Sequence, residues 1–548
     1  MKNTFKKIAQ SFKKKVPQVS KEPKGLYWQF LGGNNTKRIG ANCGLLTFTE
    51  ENDQGKKQTT RLLFDCGSLM GDTGSPEDPS LVNCDTVIPD LTECFEKKDS
   101  THKPSKKVDA IFLTHSHTDH IEALPLMVLI GYELPAIYAT PFTAKRLYQA
   151  FSNQNIDPEL WPAVTEIAPG QNINYAGVKV TPFSVSHSTP QSVGFYIETA
   201  EGNIVQPGDF KLDQTLSWGP GFNREQFDRI VKNGVDLLLL DSTGSDKNIK
   251  PITEAHVRKT LSKLMKENDN KRFVIACMGG FEESIASIAK VASKFDRNVW
   301  GAGWSHEQAL SALKQTGLSL SDYIGQDVNI RTLSGNKAVN DLKAAKPGST
   351  VVLVTGAQGK QNAVLTRAAD HKSSILDLKK SRDIILFCSP SIPGMEKAIR
   401  DRLITSLKKQ GFTVYTNMDL PLYSHGHGRM PELLEFSEIA KPKKIIPVHG
   451  CQKLRDANTK ALNDKGFKTL DALNGDVIKI TKRSVKKALD LKEKQRLIGF
   501  KTRSGYHWKD RDYFVVFAPQ AEKISNAEKE KSKGKRQPQV FIQHPRRK

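Results

Sequence analysis

The sequence predicts an α/β protein in two layered parts, with a small, poorly defined region at its C-terminal end. Three observations carry this. Apolar runs such as "KVDAIFLTH" and "NIVQPGD" end in histidine or aspartate, the pattern of buried strands that deliver polar side chains at their tips. Further along, "KRFVIACMGG", "RNVWGAG", "STVVLVTGAQG" and "RDIILFCSPS" are each followed by polar, helix-compatible sequence. That βαβ alternation builds a mostly parallel sheet. Finally, no apolar run approaches the ~20 residues of a membrane-spanning helix, and 38% hydrophobic with 26% charged residues suits a globular chain.

At roughly 100–200 residues per domain, 548 residues make about three domains. Residues 1–25 form a basic segment, in which Phe5, Ile8 and Phe12 fall at helical spacing between lysines; a solvated tail is the expectation. Its opening, "MKNTFKKIAQSFKKKVP", lacks the apolar stretch of a secretory signal, so a cytoplasmic protein is expected. From "LYWQFLGG" the chain turns β-rich. "CGLLTFTE", "TRLLFDCGS", "KVDAIFLTH", "AIYATP", "VKVTPFSVSH", "GFYIET" and "NIVQPGD" read as strands, and helices are expected after "THSHTD" and around "TAKRLYQAF". This layered part covers 26–221. The parallel-sheet part follows over 222–420, and 421–465 returns to histidine-bearing loops. "GDVIKIT" and "DYFVVFAP" read as strands of a small C-terminal domain, 466–520, before a basic, disordered tail, 521–548.

Lys plus Arg number 82 against 59 Asp plus Glu, a net charge of +23. Such an excess attracts polyanions and gains free energy by releasing their counterions, so nucleic acid is the expected partner. The cysteines (Cys43, Cys66, Cys84, Cys94, Cys277, Cys388 and Cys451) are odd in number, scattered and without a CxxC. That argues against a disulfide framework and a cysteine zinc site.

"LTHSHTDHIEALP" crowds His115, His117, Asp119 and His120 onto one segment. Two histidines one residue apart, on a loop leaving a strand, can turn onto one ion. An aspartate two residues on, with a histidine beside it, can face a second. Zn²⁺ favours neutral imidazole and carboxylate, and a catalytic site keeps one position for water. His187 in "FSVSHSTPQS", Asp209 in "NIVQPGDFKLD" and His449 in "KKIIPVHGC" follow strands and complete a ligand set. Asp209 can bridge both ions, and Asp65 in "LLFDCG" can orient a ligating histidine by accepting its other N–H.

Histidine cluster, distant histidine and strand-end aspartate together resemble the metallo-β-lactamase fold. "LLLLDSTGS", "VLVTGAQGKQN", "SHGHG" and "IIPVHG" are similar to its β-CASP branch, which processes nucleic acids, and most similar to ribonuclease J, over about residues 28–460. The resemblance implies a metallo-β-lactamase αββα sandwich interrupted by a β-CASP domain. It assigns His115, His117 and His187 to one zinc, Asp119, His120 and His449 to the other, and Asp209 to both; Mn²⁺ or Mg²⁺ are alternatives. Asp119, Asp241 and His427 become the catalytic candidates, with His427 protonating the leaving 3′-oxygen and Asp241 holding its proton. Read without the resemblance, Asp241 in "DSTGS" is a turn residue. His449 leans the substrate to RNA, since the DNA-directed branch typically has valine there.

The "TGAQGK" loop, with Gly356, Gln358 and Gly359, and His425 are implied to lie near substrate phosphates. The chain departs from the family pattern at His425, Lys360 and Cys451. Trp300 and Trp304 are weighed as base-stacking residues against core packing. The implied activity is that of a zinc-dependent ribonuclease on single-stranded RNA bearing a 5′-monophosphate, a 5′→3′ exonuclease with endonucleolytic cuts, assembled as a homodimer or homotetramer. Two other readings stay open: a hydrolase of DNA or another ester on the same core, and a non-catalytic RNA-binding scaffold.

Overall fold

The computed structural model describes residues 24–51, 54–70, 84–97, 104–219, 221–318, 321, 330–390, 397–488, 497–502 and 513–517. The basic N-terminal segment (to residue 23) and the tail expected over 521–548 lie outside the described residues.

Two sheets face each other. The first has eight strands in the order Val485–Lys487, Val477–Ile480, Gly25–Phe30, Gly44–Glu51, Lys57–Phe64, Ala110–Phe112, Ala136–Ala139 and Val164–Glu166. It is antiparallel as far as Lys57–Phe64 and parallel from there on. The second has six, in the order Ile173–Tyr175, Val178–Ser184, Val193–Glu198, Asn203–Gln206, Leu237–Asp241 and Lys444–Val448. Alternation puts Trp28, Leu46, Phe64 and Phe112 of the first sheet against Val180, Phe195, Leu237 and Ile446 of the second in one apolar core. Leu45, Leu63, Ile111 and Ile137 point the other way, onto the helices Ala123–Leu129 and Pro141–Asn153. Tyr196, Leu238, Leu240 and Ile445 do the same on the second sheet, onto Arg224–Ile230 and Met430–Ala440. The layering is therefore αββα.

A third sheet is parallel throughout, in the order Ile330–Thr332, Asn298–Ala302, Thr350–Val354, Arg272–Ala276, Asp383–Phe387 and Thr413–Tyr415. Its central strands RFVIA, TVVLV and DIILF are buried along their whole length, because helices cover both faces and each face has its own core.

Three segments sit differently from their sequence reading. The strand Leu237–Asp241 lies in the second sheet, parallel to Asn203–Gln206 and to Lys444–Val448, so the chain leaves the sandwich after Asp241 rather than at 222. An apolar run buried on both faces does not declare its sheet. Val477–Ile480 pairs with Gly25–Phe30 at the edge of the first sheet. Leu497–Thr502 pairs with Thr86–Pro89 and with Tyr513–Phe517. The region expected as a small separate domain thus adds strands to elements near the start of the chain. Trp300 packs in the core at 3% exposure with the Arg331 guanidinium over its ring, whereas Trp304 is 60% exposed; base stacking is excluded for Trp300.

Candidate metal centre

The site lies where several strands of both sandwich sheets end, as expected for layered α/β folds. Ala110–Phe112 feeds the loop bearing His115 and His117, and Asp119 and His120 fall in the short helix Thr118–Ile121 that follows. Val178–Ser184 leads to His187, Asn203–Gln206 to Asp209, and Lys444–Val448 to His449, while Asp241 closes Leu237–Asp241. His427 precedes the helix Met430–Ala440. Gly67 lets this packing close: a Cβ there would collide with the backbone carbonyl of Asp119.

Three groups of potential ligand atoms, each within 4.8 Å of one another, share Asp209: His115, His117 and His187; Asp119, His120 and His449; and Asp241, His427 and His449. In the first, His117 Nδ1 is 3.0 Å from His115 Nε2 and 3.1 Å from His187 Nε2, and Asp209 Oδ2 is 3.6 Å and 3.9 Å from the latter two. In the second, His120 Nε2 is 3.3 Å from Asp209 Oδ2 and 3.6 Å from Asp119 Oδ2, and His449 Nε2 is 3.2 Å from Asp209 Oδ1. Tetrahedral ligands at ~2.0–2.1 Å from a zinc ion stand about 3.3 Å apart, so these spacings fit a cation in each of these two groups. A second observation agrees. Asp209 Oδ1 and His449 Nε2 are buried 3.2 Å from each other and make no hydrogen bond to any other described residue, a costly arrangement that a shared cation would relieve.

Most of the imidazoles are held through their other nitrogen. His115 Nδ1 meets Thr114 Oγ1 at 3.0 Å, His117 Nε2 the Gly280 carbonyl at 2.9 Å, His120 Nδ1 Asp65 Oδ2 at 3.0 Å, and His187 Nδ1 the Gly426 carbonyl at 2.8 Å. These acceptors place each N–H on the outer nitrogen and turn the inner one, with its lone pair, towards the ligand group. Asp65 does more: its Oδ1 accepts from the Thr114 N–H at 2.8 Å, which fixes the start of the histidine loop, and its own backbone is left-handed, at φ 57°.

Burial, reinforced by neighbouring imidazoles, keeps His115 and His187 well below the usual histidine range, and burial also lowers His117. The neutral form is the ligating one. Asp209 is held well below the carboxylate range: burial opposes this, but His449, His120 and His427 outweigh it. His427 is lifted to about 9, because Asp241 and Asp209 overcome its burial. Its Nδ1 is 2.7 Å from Asp241 Oδ2, and its Nε2 is 3.7 Å from Asp209 Oδ2. Asp241 also keeps its turn role, accepting from the Thr243 N–H at 2.8 Å.

The parallel-sheet domain closes one wall. Besides the Gly280 carbonyl, Phe281 lies 6.0 Å from the His117 ring and stacks on Tyr423 at 5.7 Å, and the Glu283 N–H donates to the Ser188 carbonyl. His425 stands beside His427, ring centroids 5.5 Å apart. The structure thus brings together His115, His117, Asp119, His120, His187, Asp209, Asp241, His427 and His449, with Asp65 behind and His425 beside them. Gly356, Gln358 and Gly359 belong to none of the ligand groups. They form a turn at the end of Thr350–Val354 in which both glycines are left-handed and Gln358 Nε2 donates to the Pro390 carbonyl at 2.6 Å.

Asn42 escaped the sequence reading. Its Nδ2 reaches Asp119 Oδ2 at 3.3 Å and His120 Nε2 at 3.0 Å, yet "ANCG" carries no ligand signature. The Gly280 and Gly426 carbonyls could not be read either, since a backbone oxygen has no residue code.

A profile described as the beta-lactamase superfamily domain matches residues 80–270, and one described as the ribonuclease J beta-CASP domain matches 270–407. Similar chains include a ribonuclease J of Mycobacterium tuberculosis, 28% identical over 74% of this chain and 67% of its own length. One from Sinorhizobium meliloti is 27% identical over 82% and 74%. Ribonuclease J2 of Bacillus subtilis is 28% identical over 74% and 69%. A crystal structure of a protein of unknown function from Enterococcus faecalis V583 superposes with a TM-score of 0.55 at 16% identity, covering 83% of this chain and all of the other; that likeness concerns the fold alone.

Proposed function

We propose, on the premise that the chain is a ribonuclease J-like protein with a metallo-β-lactamase domain and a β-CASP domain, that its metal centre hydrolyses phosphodiester bonds of single-stranded RNA. The observation that carries this is the convergence of three buried His/Asp groups on Asp209. His115, His117 and His187 would hold one Zn²⁺ and Asp119, His120 and His449 the other, with Asp209 between them; imidazole and carboxylate donors also accept Mn²⁺. Bound divalent cations supply a water activated at neutral pH and neutralise charge at the scissile phosphate.

The chain's own residues supply the rest. Asp241 holds the proton on His427 Nδ1 and keeps the ring charged. His427 Nε2 faces the space around Asp209 and there protonates the leaving 3′-oxygen, so the products carry 5′-phosphates. The net charge of +23 attracts RNA to the protein. The direction is 5′→3′ and exonucleolytic, with endonucleolytic cuts.

Metal analysis paired with a time course on 5′-monophosphate and 5′-triphosphate RNA tests this. Mononucleotides should accumulate first from the monophosphate form. Cleavage of DNA alone would overturn the substrate, and metal-free protein after native purification would overturn the mechanism.

A further inference from the structure

His449 is the exception among the metal-site imidazoles. His115, His117, His120 and His187 each have a partner on the outer nitrogen. His449 Nδ1 is buried with no hydrogen-bond partner among the described residues. Its backbone is fixed, left-handed at φ 52° with the carbonyl accepting from Thr243 Oγ1 at 2.9 Å. That sets where the ring starts and leaves its tautomer to whatever meets Nδ1.

Next to His449 lies a cavity lined from both sandwich sheets, by Trp28, Asn34, Phe64, Gln206 and Leu239 among others. The space inside it is about 40 Å³. A buried water needs about 10–15 Å³, so there is room for about three. Most of the wall is apolar: Trp28, Phe64 and Leu239 belong to the core between the sheets. The indole fits because a Cβ on Gly44 would collide with it. Gln206 ends the strand Asn203–Gln206 two residues after the core residue Ile204, and so on the same side. Into this surrounding come three further buried atoms without a partner among the described residues: Trp28 Nε1, Gln206 Oε1 and Asn34 Oδ1. The Asn34 amide is oriented by its Nδ2, which donates to the Ala472 carbonyl at 2.9 Å.

The four atoms form a matched set. Trp28 Nε1 donates, and His449 Nδ1 donates whenever Nε2 is the ligating nitrogen. Gln206 Oε1 and Asn34 Oδ1 accept. Water accepts two hydrogen bonds and donates two. A cation would face two N–H groups and an anion two carbonyl oxygens, so water is the occupant that suits all four. Leaving them unsatisfied among apolar side chains would be costly.

We propose that this cavity is a built water site, and that Gln206, with Trp28 and Asn34, is a positioning residue that acts through its water on the outer nitrogen of His449. The water accepts from Nδ1–H. That keeps the proton on Nδ1 and turns the Nε2 lone pair to the group formed with Asp119, His120 and Asp209. The inference rests on the reading of His449 as a metal ligand and is independent of the substrate. The group of His115, His117 and His187 has its own outer partners and is not affected.

Chelator competition on the zinc-loaded protein tests this in wild type, Gln206→Met, Gln206→Glu and Leu239→Val. Gln206→Met keeps the length and removes the acceptor. It should weaken one of the two zinc ions about 10- to 100-fold and leave the other within about twofold. Gln206→Glu keeps an acceptor and should recover the loss. Leu239→Val trims the same wall without a polar change. It should lower the denaturant midpoint while both zinc affinities stay within about twofold. A crystal of the zinc-loaded wild type should show water within hydrogen-bond reach of His449 Nδ1 and Gln206 Oε1. Unchanged zinc affinity in Gln206→Met, an equal loss in Leu239→Val, or a dry cavity in the crystal would each overturn the proposal. If the protein takes up no zinc, the reading of the metal centre fails by itself, and the crystal still decides whether water joins His449 to Gln206.

Discussion

Two strand-end loops show how differently a site can be built. The loop after Ala110–Phe112 carries its chemistry in side chains. His115, His117, Asp119 and His120 all belong to ligand groups, and each of these imidazoles is held by a named acceptor. The loop after Thr350–Val354 carries backbone shape instead: left-handed Gly356 and Gly359, a Gln358 side chain tied to Pro390, and an exposed Lys360. A side chain that must face one atom is replaced at the cost of the metal, whereas a left-handed glycine is replaced at the cost of backbone strain. The first loop should therefore respond to mutation through metal and turnover, and the second through stability.

The largest effect is expected at Asp209, which every ligand group shares. Asp209→Ala should strip metal from both sites and abolish turnover, measured by elemental analysis and RNA cleavage; full metal retention would break the contrast. His427→Ala comes next, with a loss of about 100- to 10,000-fold in kcat at unchanged metal content. The same residue predicts a pH profile. Asp241, 2.7 Å away, holds the His427 ring charged against burial, so the proton-donating form persists above the usual histidine range and is lost as pH rises through the raised pKa. Asp241→Asn removes an anion, lowers the histidine's pKa and should move the alkaline limb of the rate profile to lower pH.

Asp65→Asn keeps the fold and weakens the acceptor for His120. Chelator competition should show metal affinity reduced about 10- to 100-fold, and no change would mean that His120 is oriented by other groups. The smallest effect falls on the second loop. Gln358→Ala removes one hydrogen bond to Pro390 and should cost about 1 kcal/mol in denaturant unfolding, with metal content untouched.

The same contrast explains what the sequence disclosed. His115, His117, Asp119 and His120 were legible because four ligand residues in six positions serve no core, and His187, Asp209 and His449 because each follows a buried strand. The parallel sheet was legible from runs such as TVVLV, which two covered faces require. The place of Leu237–Asp241 in the second sheet was not, since pairing partners far along the chain leave no local mark. Nor was the edge strand Val477–Ile480, whose partner begins at Gly25. Asn42 and the Gly280 and Gly426 carbonyls were invisible for the same reason: their roles exist only after distant segments meet.

Anomalous diffraction from a crystal at the zinc absorption edge tests the central claim most directly. The account predicts two peaks on either side of the Asp209 carboxylate, one against His115, His117 and His187 and the other against Asp119, His120 and His449. Zinc-supplemented crystals with no peak at Asp209, or with these side chains turned away from it, would contradict it.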